Sequence, residues 1–266
     1  MSASLEITKS NGIATVTLNR PDKHNAFDDA VIEELTAAFL EIDSDDSVRV
    51  MVLSANGKNF SAGADLAWMK RMATYSYDEN LRDARALANM LKTLNELSKP
   101  TIARVQGAAL GGAVGLVSCC DMAIAAPTAS FALSEVKIGL IPATISPYVV
   151  RAIGERAARR YFLTAERFDA VQAHQLGLVS EVRAEIELDD FVSGLANTIK
   201  NNSPSAVAAA KKLALDIGNT PISDDLIEDT CRRIAEIRAS KNGQEGLTAF
   251  LEKRAPAWIN DVNENN

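Results

Sequence analysis

The chain has 266 residues, 47% of them hydrophobic and 24% charged, and a formal net charge of −7. This composition is typical of a globular protein with a full hydrophobic core. The negative charge argues against the basic surface with which nucleic-acid binders neutralise phosphates, and no apolar run is long enough to cross a bilayer. The three cysteines, Cys119, Cys120 and Cys231, lack the spacing of a metal site or a disulfide framework. We therefore expect a cytoplasmic protein that binds no metal, membrane or nucleic acid.

The N-terminal residues predict a hairpin followed by an amphipathic helix. Alternating apolar residues flank Asn11 and Gly12, a dipeptide that strongly favours a two-residue hairpin turn. Apolar residues then recur at helical spacing over residues 26–42, and a β-rich run follows at 48–53.

Strands and helices continue to alternate until about Arg183. Leucines at helical spacing predict a long helix over 81–97, and short β-rich runs predict strands at 101–105, 122–126 and 131–133. Only helical patterns follow, over 190–200, 205–217, 222–239 and 244–253. We predict an α/β core over residues 1–190 and a helical region over residues 191–266.

Two turns rich in glycine and alanine follow predicted strands, at 60–66 (FSAGADL) and at 107–115 (GAALGGAVG). Small residues there allow backbone amides at a helix start to approach a ligand closely. The second turn has neither the spacing of a dinucleotide site nor the lysine of a P-loop. Taken alone, the first turn could be a plain connection between a strand and a helix, and the second could be a place where a helix packs closely on the sheet. Two such turns can also direct two amides at one oxygen atom, which would make an oxyanion hole.

Glu135 stands among apolar residues in the segment 131–142 (FALSEVKIGLIP). Burial there would raise its pKa and suit the carboxyl group to proton transfer near neutral pH. The alternative is an exposed carboxylate at the end of a strand.

Together these segments resemble the enoyl-CoA hydratase/isomerase (crotonase) superfamily over nearly the whole chain. The resemblance implies a spiral of ββα repeats followed by a C-terminal helical region that forms trimers. It also implies that the amides of Ala64 and Gly112 form an oxyanion hole and that Glu135 is the catalytic acid or base.

The resemblance further implies contacts with coenzyme A, which would arrive as part of an acyl-CoA thioester substrate without a separate cofactor. The matching positions lie in an N-terminal turn, in the first glycine-rich turn and in a C-terminal motif at 249–254 (AFLEKR). They are Lys23, His24, Ala26, Ala62, Asp65, Leu66, Phe250 and Lys253. The implied assembly is a homotrimer or a homohexamer made of two trimers.

Gly115 departs from the family's two-glutamate hydratase pattern, which has a glutamate three residues after the second oxyanion glycine. The family's isomerases keep one glutamate, at the position of Glu135, so a Δ3,Δ2-enoyl-CoA isomerase is one alternative. Thioester hydrolase and decarboxylase chemistry are others. A non-enzymatic RNA-binding module with this fold is a further alternative, against which Glu135 and the net negative charge both count.

Three longer segments, residues 60–69, 111–122 and 134–162, resemble bacterial 3-methylglutaconyl-CoA hydratases of leucine degradation, and isohexenylglutaconyl-CoA hydratases are similar. We therefore expect a hydratase of a branched, carboxylated enoyl-CoA. Lys70 and Arg71 are the first cations that follow the first glycine-rich turn in the sequence, on the predicted helix. Either could pair with the carboxylate of the substrate, or both could be solvated charges on a surface helix.

Overall fold

An antiparallel hairpin begins the chain in the computed structural model, which describes residues 4–218 and 220–259. Strand β1 (Leu5–Ser10) pairs with β2 (Ile13–Leu18). Asn11 and Gly12 between them have φ values of 50° and 74°, as the favoured two-residue hairpin turn requires. The predicted hairpin is confirmed.

The rest of the core alternates strands and helices, as the sequence predicted. The strands are β3 (Val50–Ala55), β4 (Thr101–Val105), β5 (Ala108–Leu110), β6 (Met122–Ala125), β7 (Ser130–Ala132), β8 (Phe168–Asp169) and β9 (Glu181–Val182). The helices of this part are α1 (Asp29–Ser44), α2 (Leu66–Met72), α3 (Tyr77–Glu96), α4 (Gly112–Cys119), α5 (Ser146–Thr164) and α6 (Ala170–Leu176). The C-terminal helices are α7 (Leu188–Lys200), α8 (Pro204–Ile217), α9 (Asp224–Ala239) and α10 (Lys241–Glu252).

Helix α1 begins three residues later than its apolar spacing suggests. The side chain of Asp28 accepts a hydrogen bond from the amide of Val31 and so caps the helix. Phe27, just before the cap, is extended and forms a parallel bridge with Ala64. The apolar residues at 26 and 27 therefore precede the helix and are not part of it.

Two sheets organise the core. The larger has the strand order β1-β2-β3-β4-β6-β9, and its pairs are parallel after the initial hairpin. The smaller has the order β5-β7-β8, with a parallel β5–β7 pair. Three successive units therefore share one plan, in which a strand of the larger sheet leads to an extended segment beside the smaller sheet and then to a helix. The units contain β3 with Ser61 and α2, β4 with β5 and α4, and β6 with β7 and α5.

The core lies on both faces of the larger sheet. Fully buried phenylalanines, among them Phe39 and Phe60, fill the side that α1, α3 and α4 cover. On the opposite face, Val52, Ile102 and other strand residues pack against Val192 of α7. Residues 191–200, which the sequence division assigns to the helical region, therefore belong by contact to the core.

The last three helices, α8 to α10, lie outside that core. Helices α8 and α9 bury none of their residues within the described chain. Residues 260–266 of the predicted helical region lie outside the described residues. Within the ranges that the structure describes, every helix is too short or too polar to cross a membrane.

Candidate active site

Three extended segments, paired in parallel, bring the predicted catalytic residues together. Ser61 pairs with Ala109, and Ala109 pairs in turn with Phe131. Ala64 follows Ser61 by three residues, and Gly112 follows Ala109 by three. Glu135 follows Phe131 by four. Because parallel strands end at the same edge of a sheet, these residues emerge on one side of the molecule. The register thus explains why positions far apart in the sequence meet.

The turn at Ala64 is held by hydrogen bonds on both of its sides. The amide of Phe27 donates to the carbonyl of Gly63 (2.9 Å), and the amide of Asp65 donates to the carbonyl of Phe27 (3.0 Å). Between them, the amide of Ala64 donates to no group within the described residues. Gly63 has φ +87°, and a Cβ atom there would lie 2.7 Å from the carbonyl oxygen of Leu110, so the turn requires glycine.

Gly112 supplies the second amide. It is the first residue of α4, so its N–H group has no partner inside the helix, and it donates to no other group in the part of the chain that the structure describes. The preceding amide, of Gly111, donates to the carbonyl of Ala132 at the end of β7 (2.8 Å). This bond ties the second turn to the strand that leads to Glu135.

The carboxyl group of Glu135 lies beside the second turn. Its Oε1 atom is 3.2 Å from the position that a Cβ atom would take on Gly111. Its Oε2 atom is buried and has no hydrogen-bond partner among the described residues. Burial raises the pKa of this carboxyl above its ordinary value, as its apolar neighbours led us to expect. A carboxyl group in this state can exchange a proton with a bound reactant.

The predicted coenzyme A positions near the N-terminus also come together. The amide of Ala62 donates to the carbonyl of His24 (2.9 Å), and Lys23 Nζ lies 3.6 Å from a carboxylate oxygen of Asp65. Ala26 is buried, whereas the side chain of Leu66 is exposed. The N-terminal turn therefore lies directly against the first glycine-rich turn.

Asp65 has a structural task in this arrangement. Its carboxylate accepts the amide of Ala67 (2.7 Å), which caps α2, and it pairs with Arg20 (3.2 Å). Burial raises the pKa of Asp65, but the amide hydrogen bonds from Ala67 and Trp68 and the charges of Lys23 and Arg20 outweigh this effect and lower it. Asp65 is therefore a carboxylate that fixes the backbone on one side of Ala64.

The C-terminal motif is not brought to this site within the chain. Helix α10 packs against α8 and α9, and the side chain of Phe250 is 80% exposed. Lys253 ends α10 in a left-handed conformation. Among the described residues, no hydrogen bond or ion pair joins Phe250 or Lys253 to either glycine-rich turn.

Gly115 faces a closely packed environment. A Cβ atom there would lie 2.4 Å from Cγ2 of Ile145 and 3.4 Å from Cδ2 of Leu91. Ile145 is itself buried in the main core cluster. The space next to Gly115 is thus filled by an isoleucine, whose contribution the sequence did not reveal because it lies thirty residues away.

Comparisons with known proteins identify the family of the chain. The family model described as "Enoyl-CoA hydratase/isomerase" matches residues 8–261. The chain belongs to the enoyl-CoA hydratase/isomerase family. This assignment confirms the expected crotonase superfamily, the expected crotonase-like fold and the expectation of an enzyme.

Individual relatives cover nearly the whole chain. A crystal structure of an enoyl-CoA hydratase from Shewanella pealeana is 48% identical, covers 96% of each chain and superposes with a TM-score of 0.94. The 2,3-dehydroadipyl-CoA hydratase of Escherichia coli is 31% identical over 96% of this chain and 98% of its own length. The short-chain-enoyl-CoA hydratase of Clostridium acetobutylicum is 33% identical over 93% of this chain and 94% of its own length.

Glu135 offers the first test of the site. Replacing Glu135 with Gln keeps the shape of the side chain but removes the proton acceptor. We expect turnover of a 2-enoyl-CoA substrate to fall by ~10²–10⁴-fold, the usual contribution of general acid–base catalysis. Steady-state kinetics measures this loss, with Glu155→Gln, at a side chain that is 80% exposed, as the control. Near-normal turnover in Glu135→Gln would remove this residue from the mechanism.

The same substitution should also change the dependence of stability on pH. Because burial raises the folded-state pKa of Glu135 above its unfolded value, ionisation costs the native protein stability as pH rises between the two values. Glutamine does not ionise. The variant should therefore gain stability over the wild type above about pH 4.3, the ordinary glutamate pKa, in urea unfolding at several pH values. A difference that shrinks with rising pH would contradict the burial of a charged Glu135.

The packing at Gly115 predicts the outcome of restoring a second carboxylate. Gly115→Glu alone should overpack the site against Ile145 and lower the free energy of unfolding by ~1–3 kcal/mol. Adding Ile145→Ala should recover part of that loss by making room, and Ile145→Ala alone is the control. Thermal unfolding measures the loss of stability and its recovery, and crotonyl-CoA hydration shows whether the added carboxylate changes activity. Wild-type stability in Gly115→Glu would show that Ile145 does not limit this position.

Proposed function

We propose that the protein is a hydratase that adds water across the 2,3 double bond of a branched, carboxylated enoyl-CoA such as 3-methylglutaconyl-CoA. One observation carries this proposal. The amides of Ala64 and Gly112, which donate to no group within the described residues, and the desolvated carboxyl group of Glu135 follow the paired residues Ser61, Ala109 and Phe131. Donors at two points and a proton carrier beside them are what thioester enolate chemistry requires.

The proposed reaction uses these three groups in turn. The thioester oxygen accepts hydrogen bonds from both amides. A water oxygen bonds to the β-carbon while Glu135 takes the water's proton, and the electron pair of the double bond moves to the thioester oxygen as an enolate. The amides stabilise this negative charge. Glu135 then returns the proton to the α-carbon, the carbonyl forms again, and one water molecule has been added.

The carboxylated acyl group has support from one relative. The relative in Escherichia coli is named for 2,3-dehydroadipyl-CoA, the thioester of a dicarboxylic acid, so its acyl group ends in a second carboxylate. The relative in Clostridium acetobutylicum is named for short-chain enoyl-CoA. Carboxylated and uncarboxylated substrates therefore both occur among proteins of comparable similarity, and kinetics on this chain decides between them.

Lys70 is the better candidate to bind that carboxylate. Arg71 already pairs with Asp29 of α1, and hydrogen bonding to Tyr75 and Asp29 raises the pKa of its guanidinium. Lys70 is exposed and forms no ion pair with any described residue. An unpaired ammonium group is free to meet a carboxylate, whereas Arg71 would first have to leave Asp29.

Isomerase chemistry is the second candidate, because Ile145 occupies the space beside Gly115 and leaves Glu135 as the carboxylate at the site. The two activities change absorbance in opposite directions. Hydration of a 2-enoyl-CoA removes the conjugated enone, whereas isomerisation of a 3-enoyl-CoA creates it. An isohexenylglutaconyl-CoA hydratase would also remove it, and is distinguished by a preference for the longer acyl chain.

The acyl group of the proposed substrate can be tested by comparing two thioesters. We expect kcat/KM on 3-methylglutaconyl-CoA to exceed that on crotonyl-CoA by at least about tenfold, because a pocket that provides a cation for a carboxylate leaves it unpaired when a methyl group arrives. Steady-state kinetics on both thioesters measures this. Equal or better kcat/KM on crotonyl-CoA would remove the carboxylated substrate from the proposal. Lys70→Met should lose activity selectively on the carboxylated thioester, and Arg71→Met is its matched control.

We also propose that the protein forms a homotrimer or homohexamer. Helices α9 and α10 expose Ile227, Ile234 and Leu247, and the loop before α9 exposes Ile222. A partner subunit would cover this apolar surface. A neighbouring subunit would also bring Phe250 and Lys253 to the acyl-CoA site, which the chain does not do by itself.

Light scattering tests this assembly. We expect a mass of three or six chains of 28.5 kDa, and Ile227→Asp with Ile234→Asp should lower it, because two charges would enter the contact. The matched control is the pair Glu228→Gln and Glu236→Gln on the same helix. A monomeric wild type that retains full activity would contradict the proposal.

A further inference from the structure

We infer that Phe27 is a positioning residue that sets the spacing between the amides of Ala64 and Gly112. The inference rests on the proposed oxyanion hole and deepens it, because it names the side chain that holds the two donors at a working distance. Phe27 contacts both turns, one through its backbone and the other through its ring.

The backbone of Phe27 holds the first turn. Its amide donates to the carbonyl of Gly63 (2.9 Å), and its carbonyl accepts the amide of Asp65 (3.0 Å). These two bonds flank Ala64 and leave the Ala64 amide between them directed away from Phe27. The orientation of the first donor therefore depends on where the backbone of Phe27 lies.

The ring of Phe27 lies against the second turn. A Cβ atom on Gly112 would be 2.6 Å from Cζ of Phe27 and 3.1 Å from Cε2, so the tip of the ring rests on the Cα atom of Gly112. Phe27 is only 1% exposed, and interiors of proteins are close-packed. The ring therefore prevents the start of α4 from moving toward the first turn.

Phe27 is itself held in place by polar contacts. Arg20 Nη1 donates to the carbonyl of Ala26 (2.9 Å), and Arg20 Nη2 donates to Asp65 (3.2 Å). The side-chain amide of Asn25 donates to the carbonyls of Asn56 (2.8 Å) and Asn59 (2.9 Å). The residues on the N-terminal side of Phe27 are thus bonded to the loop that follows β3, which gives the ring a rigid support.

This geometry has a kinetic consequence. Oxyanion donors stabilise a developing charge when they lie about 2.7–3.1 Å from the oxygen, and a displacement of about 1 Å can cost ~10²-fold in rate. Shortening the ring should therefore weaken the polarisation of the thioester carbonyl and lower kcat, while the contacts that bind coenzyme A remain.

The test compares Phe27→Leu with Phe39→Leu, a substitution of another fully buried phenylalanine in the same core cluster. The probe is butyryl-CoA labelled with ¹³C at the thioester carbon, whose carbonyl stretch is measured by infrared difference spectroscopy. In the wild type and in Phe39→Leu, we expect binding to lower the stretching frequency. In Phe27→Leu, we expect at least half of that shift to be lost. For a 2-enoyl-CoA substrate, we expect kcat to be about tenfold lower or more and KM to change less than threefold.

The possible failures are distinguishable. No carbonyl shift in the wild type would overturn the proposed oxyanion hole, and this inference with it. A full wild-type shift and kcat in folded Phe27→Leu would overturn the inference alone. Equal losses in Phe39→Leu would also overturn it, because general loosening of the core would then explain both variants.

A second variant keeps the inference testable if Phe27→Leu does not fold. Gly112→Ala keeps the Phe27 side chain but forces its ring and residue 112 apart, because the new Cβ atom would lie 2.6 Å from Cζ. We expect it to reduce the carbonyl shift as well. A wild-type shift in Gly112→Ala would show that the contact does not set the spacing.

Discussion

The pairing of Ser61, Ala109 and Phe131 is the constraint on which the candidate site depends. These three residues are neighbours through backbone hydrogen bonds, although 70 residues of sequence separate the first from the last. A shift of one residue in either pairing would move Ala64 or Gly112 away from Glu135. The side chains of the shifted segment would then point to the other face of the sheet. The geometry of the candidate site therefore depends on the register of the smaller sheet and of the segment beside it.

That register leaves the site with polar groups that the fold does not satisfy. The N–H groups of Ala64 and Gly112 and the Oε2 atom of Glu135 lack partners within the described residues. Unsatisfied polar groups are costly in a protein interior. Asp65, by contrast, receives two amide hydrogen bonds and two cations. Polar groups that support the turns are thus satisfied, and those that would meet the substrate are left unpaired.

Sequence patterns predicted the elements with strong periodicity and the two glycine-rich turns. They missed β5, β8 and β9, which have two or three residues each and are too short for a pattern. They also missed Phe27 and Ile145, because an apolar residue shows nothing in sequence about which backbone it touches. The division at residue 190 cut α7, whose apolar residues face the sheet, because helical periodicity does not tell what a helix packs against. Contacts across the fold supplied what local patterns could not.

The isoleucine beside Gly115 also bears on how such a site could change over evolutionary time. A glutamate at position 115 and the isoleucine at 145 compete for the same volume, so the effect of each substitution depends on the other. A lineage that gains the carboxylate first would pass through an overpacked intermediate, whereas one that first shortens residue 145 would pass through a cavity. The second route is open to any chain with stability to spare. Whether a second carboxylate fits beside the candidate site therefore depends on the side chain at position 145.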